Sequence, residues 1–152
     1  MPRKKKAAGL LNDVGMFCEY LKGRGLKATP QRVAVHEAML ELVHASADMV
    51  SGYIRENSAT KVTDASIYNI LSELSDMGVY SRRMSSCSKM YFDLVSTPHI
   101  HMYDSTTCEY RDIPDDGLLS LVETAIRHRR FPGYKVDGIE IQVLCHPTRR
   151  KK

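Results

Sequence analysis

The segment from Thr63 to Gly78 limits the possible folds more than any other part of the chain. Ile67, Ile70, Leu71, Leu74 and Met77 recur at steps of three and four, the spacing that lines one face of an α-helix with apolar side chains. Thr63 stands where an N-cap is wanted, and Gly78 where a left-handed residue ends a helix. Two short runs of strand character follow, Val79 to Arg83 and Met90 to Val95, separated by the Ser-, Cys- and Lys-rich turn Met84 to Lys89. A helix that stops on glycine and passes at once into a hairpin excludes an all-helical bundle.

Three further helices precede it. Leu11, Val14, Cys18 and Leu21, with Gly25 as a stop, predict a helix over about 11–24. Thr29-Pro30 is an N-cap followed by proline at the first helical position, and Val33, Val35, Met39, Leu40 and Val43 supply its buried stripe. Ser46 caps a third helix carrying Met49, Val50, Tyr53 and Ile54. Helices followed by a hairpin describe a winged helix-turn-helix over residues 1–95, with a basic N-terminal arm.

Ser96-Thr97-Pro98 reads as a hinge, because proline stops a ladder and small polar residues punctuate. A second module over 99–148 has strands at His99 to Tyr103 and Glu109 to Ile113. Its helix runs over Gly117 to His128, and a last strand lies within Tyr134 to Cys145, clearest from Ile139 onward. The expected class is therefore α+β, a winged-helix domain plus a small α/β module, with a basic tail at 149–152. With fewer than about 60 residues the second module has too little interior to stand alone. Pairing with a second copy is the economical solution, so it is expected to be a dimerisation domain and the protein a homodimer.

Composition narrows the function classes. The hydrophobic fraction of 43% and charged fraction of 26% are those of a globular protein. No apolar run approaches the length of a membrane span, so no membrane partner is expected. The basic start Met1-Pro-Arg-Lys-Lys-Lys precedes a stretch too short and mixed for a secretion signal, and the expected compartment is the cytoplasm. Lys and Arg bunch at Arg3 to Lys6, Lys22 to Lys27, Arg82-Arg83 and Arg149 to Lys152, within a net charge of +4. Such clusters neutralise phosphates or simply solvate a surface, and charge alone does not choose. An enzyme is not expected, since neither a His-Glu-x-x-His motif nor a Gly-rich phosphate loop is present.

In a helix-turn-helix the second helix enters the major groove with its N-terminal residues at the base edges. Ser66, Tyr68 and Asn69 lie off the apolar stripe of that helix and face outward. Asparagine pairs with adenine, and a tyrosine ring packs on a thymine methyl. Lys27 and Arg32 flank the start of the second helix and Lys89 sits in the wing, positions suited to phosphate or minor-groove contact. The same scaffold also serves protein contacts, because a fold does not fix a function.

His99-Ile-His101 places two imidazoles on one side of a strand, where they can converge on an ion. Asp93, Asp112 and His44 are candidates to complete the shell. Imidazoles with carboxylates suit Fe(II), Mn(II), Zn(II) or Co(II), and affinity alone does not discriminate among them.

Two segments carry a specific resemblance. Leu21-Lys-Gly-Arg-Gly-Leu-Lys-Ala-Thr-Pro-Gln-Arg32 resembles the opening signature of the ferric uptake regulator family, and Ser66-Ile-Tyr-Asn-Ile-Leu71 resembles its reading-helix signature Thr-Val-Tyr-Arg-x-Leu. The similarity runs from about Leu11 to Pro147. It implies a dimeric repressor that binds double-stranded operator DNA when a divalent metal, Fe(II) above Zn(II) or Mn(II), occupies a site made by His44, Asp93, His99, His101 and Asp112. It also implies that Lys27 reaches a minor groove and Tyr68 touches bases. Aspartates at both carboxylate positions resemble the peroxide-sensing branch of the family, which is one alternative. A member with lost or altered DNA binding is another, because Asn69 replaces the family's arginine.

Most members of the family also hold a structural zinc between two Cys-x-x-Cys pairs. Here the first pair falls on Asp104 and Thr107, with Cys108 one place off, and only Cys145 remains of the second, followed by His146. The expectation is therefore that no structural zinc is present, with a mixed Cys108, Cys145 and His146 site as the minor alternative.

Overall fold

The computed structural model describes residues 13–95 and 97–149. The basic arm at the N-terminus, the expected start of the first helix at Leu11, Ser96 of the hinge and the last three residues of the tail lie outside them. The chain divides into two compact units, Met1–Ser96 and Thr97–Lys152. No helix among the described residues is long and apolar enough to cross a membrane.

In the first unit, α1 spans Val14–Gly23, α2 Pro30–Leu42, α3 Ala47–Asn57 and α4 Asp64–Asp76. Each starts on a residue whose short side chain accepts a backbone N–H that the helix leaves orphaned: Asp13, Thr29, Ser46 and Thr63. Asp13 takes the Met16 amide at 2.7 Å, and α1 follows it directly. The glycine stop after α4 is built as expected. Gly78 has φ of 81°, its amide donates to the Ser75 carbonyl at 3.0 Å, and the Val79 amide donates to Leu74 at 2.9 Å. A residue with a Cβ is strained at that φ, and the turn delivers the buried pair Leu74 and Val79 to the same core.

The strands of this unit are β1 (His44–Ser46), β2 (Ser81–Met84) and β3 (Met90–Asp93), in the order β1-β3-β2 and all antiparallel. Strand β1 is not legible from sequence, where His44 sits in a connection between helices. Three residues are too few for a period-two pattern to register. Phe17, Leu21, Val35, Met39, Val50, Ile54, Leu71, Leu74 and Phe92 form one buried cluster beneath the helices and wing.

Helix α2 departs from the expected stripe. Ala34, Val35, His36, Ala38 and Met39 are buried, whereas Val33, Leu40 and Val43 are only partly covered. His36 is what turns the helix. Its ring stacks on Phe17 with centroids 4.0 Å apart, and its Nδ1 lies 2.7 Å from the Tyr80 hydroxyl. An apolar count passes over a buried histidine, although its polar edge is satisfied within the core.

In the second unit, β4 (Ile100–Asp104), β5 (Glu109–Ile113) and β6 (Ile141–Cys145) form a sheet ordered β5-β4-β6, and α5 spans Leu118–Arg127. β4 and β5 are an antiparallel hairpin. β6 joins β4 in parallel, which a tight turn cannot do, and α5 lies within the crossover. The Asp104 carboxylate organises the hairpin turn by accepting the amides of Thr106 at 2.8 Å and Thr107 at 3.3 Å. Buried apolar side chains here are few, Ile100, Tyr103, Tyr110 and Leu119, whereas Leu118, Leu121, Tyr134 and Leu144 are exposed. That ratio is the one expected of a unit too small to bury its own surface.

Candidate metal centre and nucleic-acid interface

The candidate ligands fall into two groups, one in each unit. In the first, β1 pairs with β3 so that His44 stands opposite Asp93, and His44 Nε2 lies 3.3 Å from Asp93 Oδ2. Both side chains are buried. The other carboxylate oxygen of Asp93 accepts the Val95 amide at 2.9 Å, which fixes the rotation of the carboxylate and points Oδ2 at the imidazole.

The second group is centred on β4. His101 stands opposite Asp112 on β5, and His99 precedes β4 by one residue. Asp112 Oδ1 lies 3.2 Å from His99 Nε2 and 3.7 Å from His101 Nε2, and the two imidazole centroids are 4.2 Å apart. His99 Nδ1 lies 2.7 Å from the Thr97 carbonyl oxygen. A carbonyl can only accept, so Nδ1 carries the hydrogen, and in the neutral ring Nε2 is the nitrogen that bears the lone pair. Orientation of a ligand histidine by a backbone carbonyl is the usual support for a metal-binding imidazole.

Within each group the donor atoms lie within 4.8 Å of one another. An imidazole nitrogen without its hydrogen and a carboxylate oxygen are both acceptors, so their closeness is satisfied by a proton on the ring nitrogen or by a metal ion. Imidazoles with carboxylates are a donor set for Fe(II), Mn(II), Zn(II) or Co(II), and the residues present fit such an ion.

The possible Cys108, Cys145 and His146 site has a different outcome. Cys145 faces Asp104 in the β4–β6 register and donates its thiol to the Tyr103 carbonyl at 3.3 Å. Cys108 sits in the hairpin turn with φ of 59°. Among the described residues these three do not form a ligand cluster.

The nucleic-acid candidates gather around α4. Ile67, Leu71 and Leu74 anchor it in the core, leaving Ser66, Tyr68 and Asn69 exposed on the opposite side. Tyr68 is 47% exposed, and its ring meets Phe92 edge-on at 6.3 Å, so one edge is pinned while the rest faces solvent. Ser66 is held at the helix start, its hydroxyl accepting from Thr63 at 2.9 Å. Lys89, in the wing, lies 3.8 Å from Asp48 with both groups exposed, a pairing too weak to withdraw the cation from a phosphate. Lys27 is exposed in the loop before α2. Arg32 is held differently from the other cations. Its Nη2 reaches both Glu73 oxygens at 3.1 and 3.0 Å, and its Nη1 donates to the Lys27 carbonyl at 2.9 Å.

Solved structures with this fold include the Vibrio cholerae ferric uptake regulator, 20% identical, covering 85% of this chain and 98% of that one, with a TM-score of 0.69. The Pseudomonas aeruginosa ferric uptake regulator with manganese is 22% identical, covering 86% and 97%, with a TM-score of 0.66. A Campylobacter jejuni peroxide stress regulator is 20% identical, covering 88% and 97%, with a TM-score of 0.61. No curated protein matches the sequence. The profile of the Ferric uptake regulator family matches residues 23–143, most of the chain and both units, and the protein therefore belongs to the ferric uptake regulator family.

Proposed function

We propose that the protein is an iron-responsive transcriptional repressor of the cytoplasm that binds operator DNA as a homodimer when its metal is bound. The observation that carries this reading is the pair of imidazole–carboxylate groups, His44 with Asp93 and His99 with His101 and Asp112, one in each unit. We take the two groups to serve a single divalent ion. The ion supplies positive charge where nitrogen and oxygen lone pairs face one another. Ligands shared between the reading unit and the dimerisation unit make the orientation of the reading heads depend on occupancy, to the extent that one orientation holds the ion more tightly.

Tyr68, Ser66 and Asn69 serve as base readers and Lys27 and Lys89 as phosphate contacts, which is supported by their exposure around the N-terminal turns of α4 and in the wing. The exposed Leu118, Leu121 and Leu144 support a homodimer made by the second unit. Nothing here asks for turnover, and a binding role is the more economical reading. The C-terminal cysteines contribute no second ion in this scheme.

One observation favours a second reading. Both carboxylates are aspartates, as in the peroxide-sensing branch, in which oxidation of a ligand histidine by peroxide at bound iron ends repression. His44 and His99 are the positions at stake.

The test is elemental analysis of protein purified without oxygen, followed by gel shifts on a palindromic operator of the family type with Fe(II), Mn(II) or Zn(II). Metal-dependent binding with Fe(II), at about one ion per subunit, is expected. Equal binding with and without chelator removes the switch. Loss of binding after peroxide treatment of the Fe(II) form, but not of the Mn(II) form, selects the second reading.

A further inference from the structure

Arg32 has the sequence position of a DNA contact and the surroundings of an internal brace. Its side chain is only 18% exposed. One guanidinium nitrogen, Nη2, reaches both oxygens of Glu73, in the third turn of the reading helix, while Nη1 holds the Lys27 carbonyl. Paired charge-assisted bonds of this kind fix direction as well as distance. One side chain thus joins the loop before α2, α2 itself and α4. The loop residue that it grips is Lys27, proposed above as a phosphate contact.

We infer that Arg32 is a positioning residue, which with Glu73 sets the place of Lys27 relative to the reading helix and does not itself bind DNA. The inference rests on the proposed DNA-binding function. Its discriminating consequence concerns Glu73. Removing an acid from a helix that faces phosphates ordinarily strengthens binding through simple electrostatics. Here the removal releases Arg32, loosens the Lys27 loop and weakens binding.

The experiment measures operator affinity against salt concentration for metal-loaded wild type, Glu73→Ala, Arg32→Lys and Lys27→Ala. Each phosphate contact contributes about 0.9 to the slope of log K against log salt, so losing the Lys27 contact from both subunits lowers the slope by about 1.8 and the affinity at 0.15 M salt roughly thirtyfold. Glu73→Ala and Arg32→Lys should both resemble Lys27→Ala, and neither should add to it when combined. Glu73→Gln, which keeps one acceptor for Arg32, should recover part of the loss. Faster amide exchange over residues 24–29 in Glu73→Ala, with unchanged metal affinity, separates a released loop from general unfolding. Tighter or unchanged DNA binding by Glu73→Ala, or a wild-type slope in Arg32→Lys, overturns the inference while leaving the repressor reading intact. A wild type with no metal-dependent binding removes both.

Discussion

Val43 offers a sharp test of how the candidate metal site is held. It follows α2 and immediately precedes His44, and it has φ of 64° and ψ of −55°, a γ-turn of the strained hand that a β-branched residue rarely adopts. Three anchors keep it there. Its amide donates to Met39 at 2.9 Å, its carbonyl accepts the Leu94 amide at 2.9 Å, and its side chain packs on the core. Through this turn the chain leaves α2 and enters β1 with His44 opposite Asp93.

Strain of this kind costs about 1–3 kcal/mol. Val43→Gly removes it but loses a half-buried side chain, about 1 kcal/mol, and adds unfolded-chain entropy of about 0.5–1 kcal/mol. The net change lies within about 1.5 kcal/mol of zero by these terms. Val43→Ala loses the same packing and keeps a Cβ that opposes left-handed backbone by about 1–2 kcal/mol. The glycine variant should therefore be the more stable of the two by about 1 kcal/mol, which is about 4–8 °C in melting temperature for a domain of this size. That order reverses the usual preference for alanine over glycine. Thermal unfolding of the full chain in chelator, followed by circular dichroism, decides the matter. An alanine variant that melts above the glycine variant refutes the claim that this turn is strained.

The remaining predictions concern other groups. Burial raises the Tyr80 phenol far above its usual range, so it stays neutral and bonded to His36 at 2.7 Å. Tyr80→Phe should cost about 1–3 kcal/mol in urea unfolding, whereas the double variant Tyr80→Phe with His36→Leu should recover most of it; equal losses from both would show that the pair is not coupled. His101→Ala should lower metal affinity at least tenfold by competitive chelation while analytical ultracentrifugation still reports a dimer, and unchanged affinity would remove His101 from the shell. The Thr106 amide, as the leading cause, holds the Asp104 carboxyl below its ordinary 3.8. Its contribution to stability is therefore present above that ordinary value and lost as pH falls through the lower folded value. Asp104→Asn should flatten this part of the acid titration of stability, and an unchanged profile would count against it.

Much of the first unit can be read from residues alone, because its signals are local. Caps at Thr29, Ser46 and Thr63 and the stop at Gly78 act over three or four residues, and the apolar steps of α4 report the face that is buried. The histidines and aspartates of the candidate site are likewise visible as residue types, and their grouping follows from resemblance rather than from periodicity.

Tertiary structure decided what depends on partners distant in sequence. β1 exists only because β3 offers it a ladder, so the pairing of His44 with Asp93 has no local signature. His36 is buried because Phe17 and Tyr80 arrive on either side of it. Arg32 looks like a surface cation until Glu73, on another helix, takes up its guanidinium. Sequence by itself determined the order of the helices and of the strands other than β1, since capping and periodicity are short-range. The three-dimensional chain decided which charges remain available to a ligand, since hydrogen bonding and burial depend on neighbours that only folding brings together.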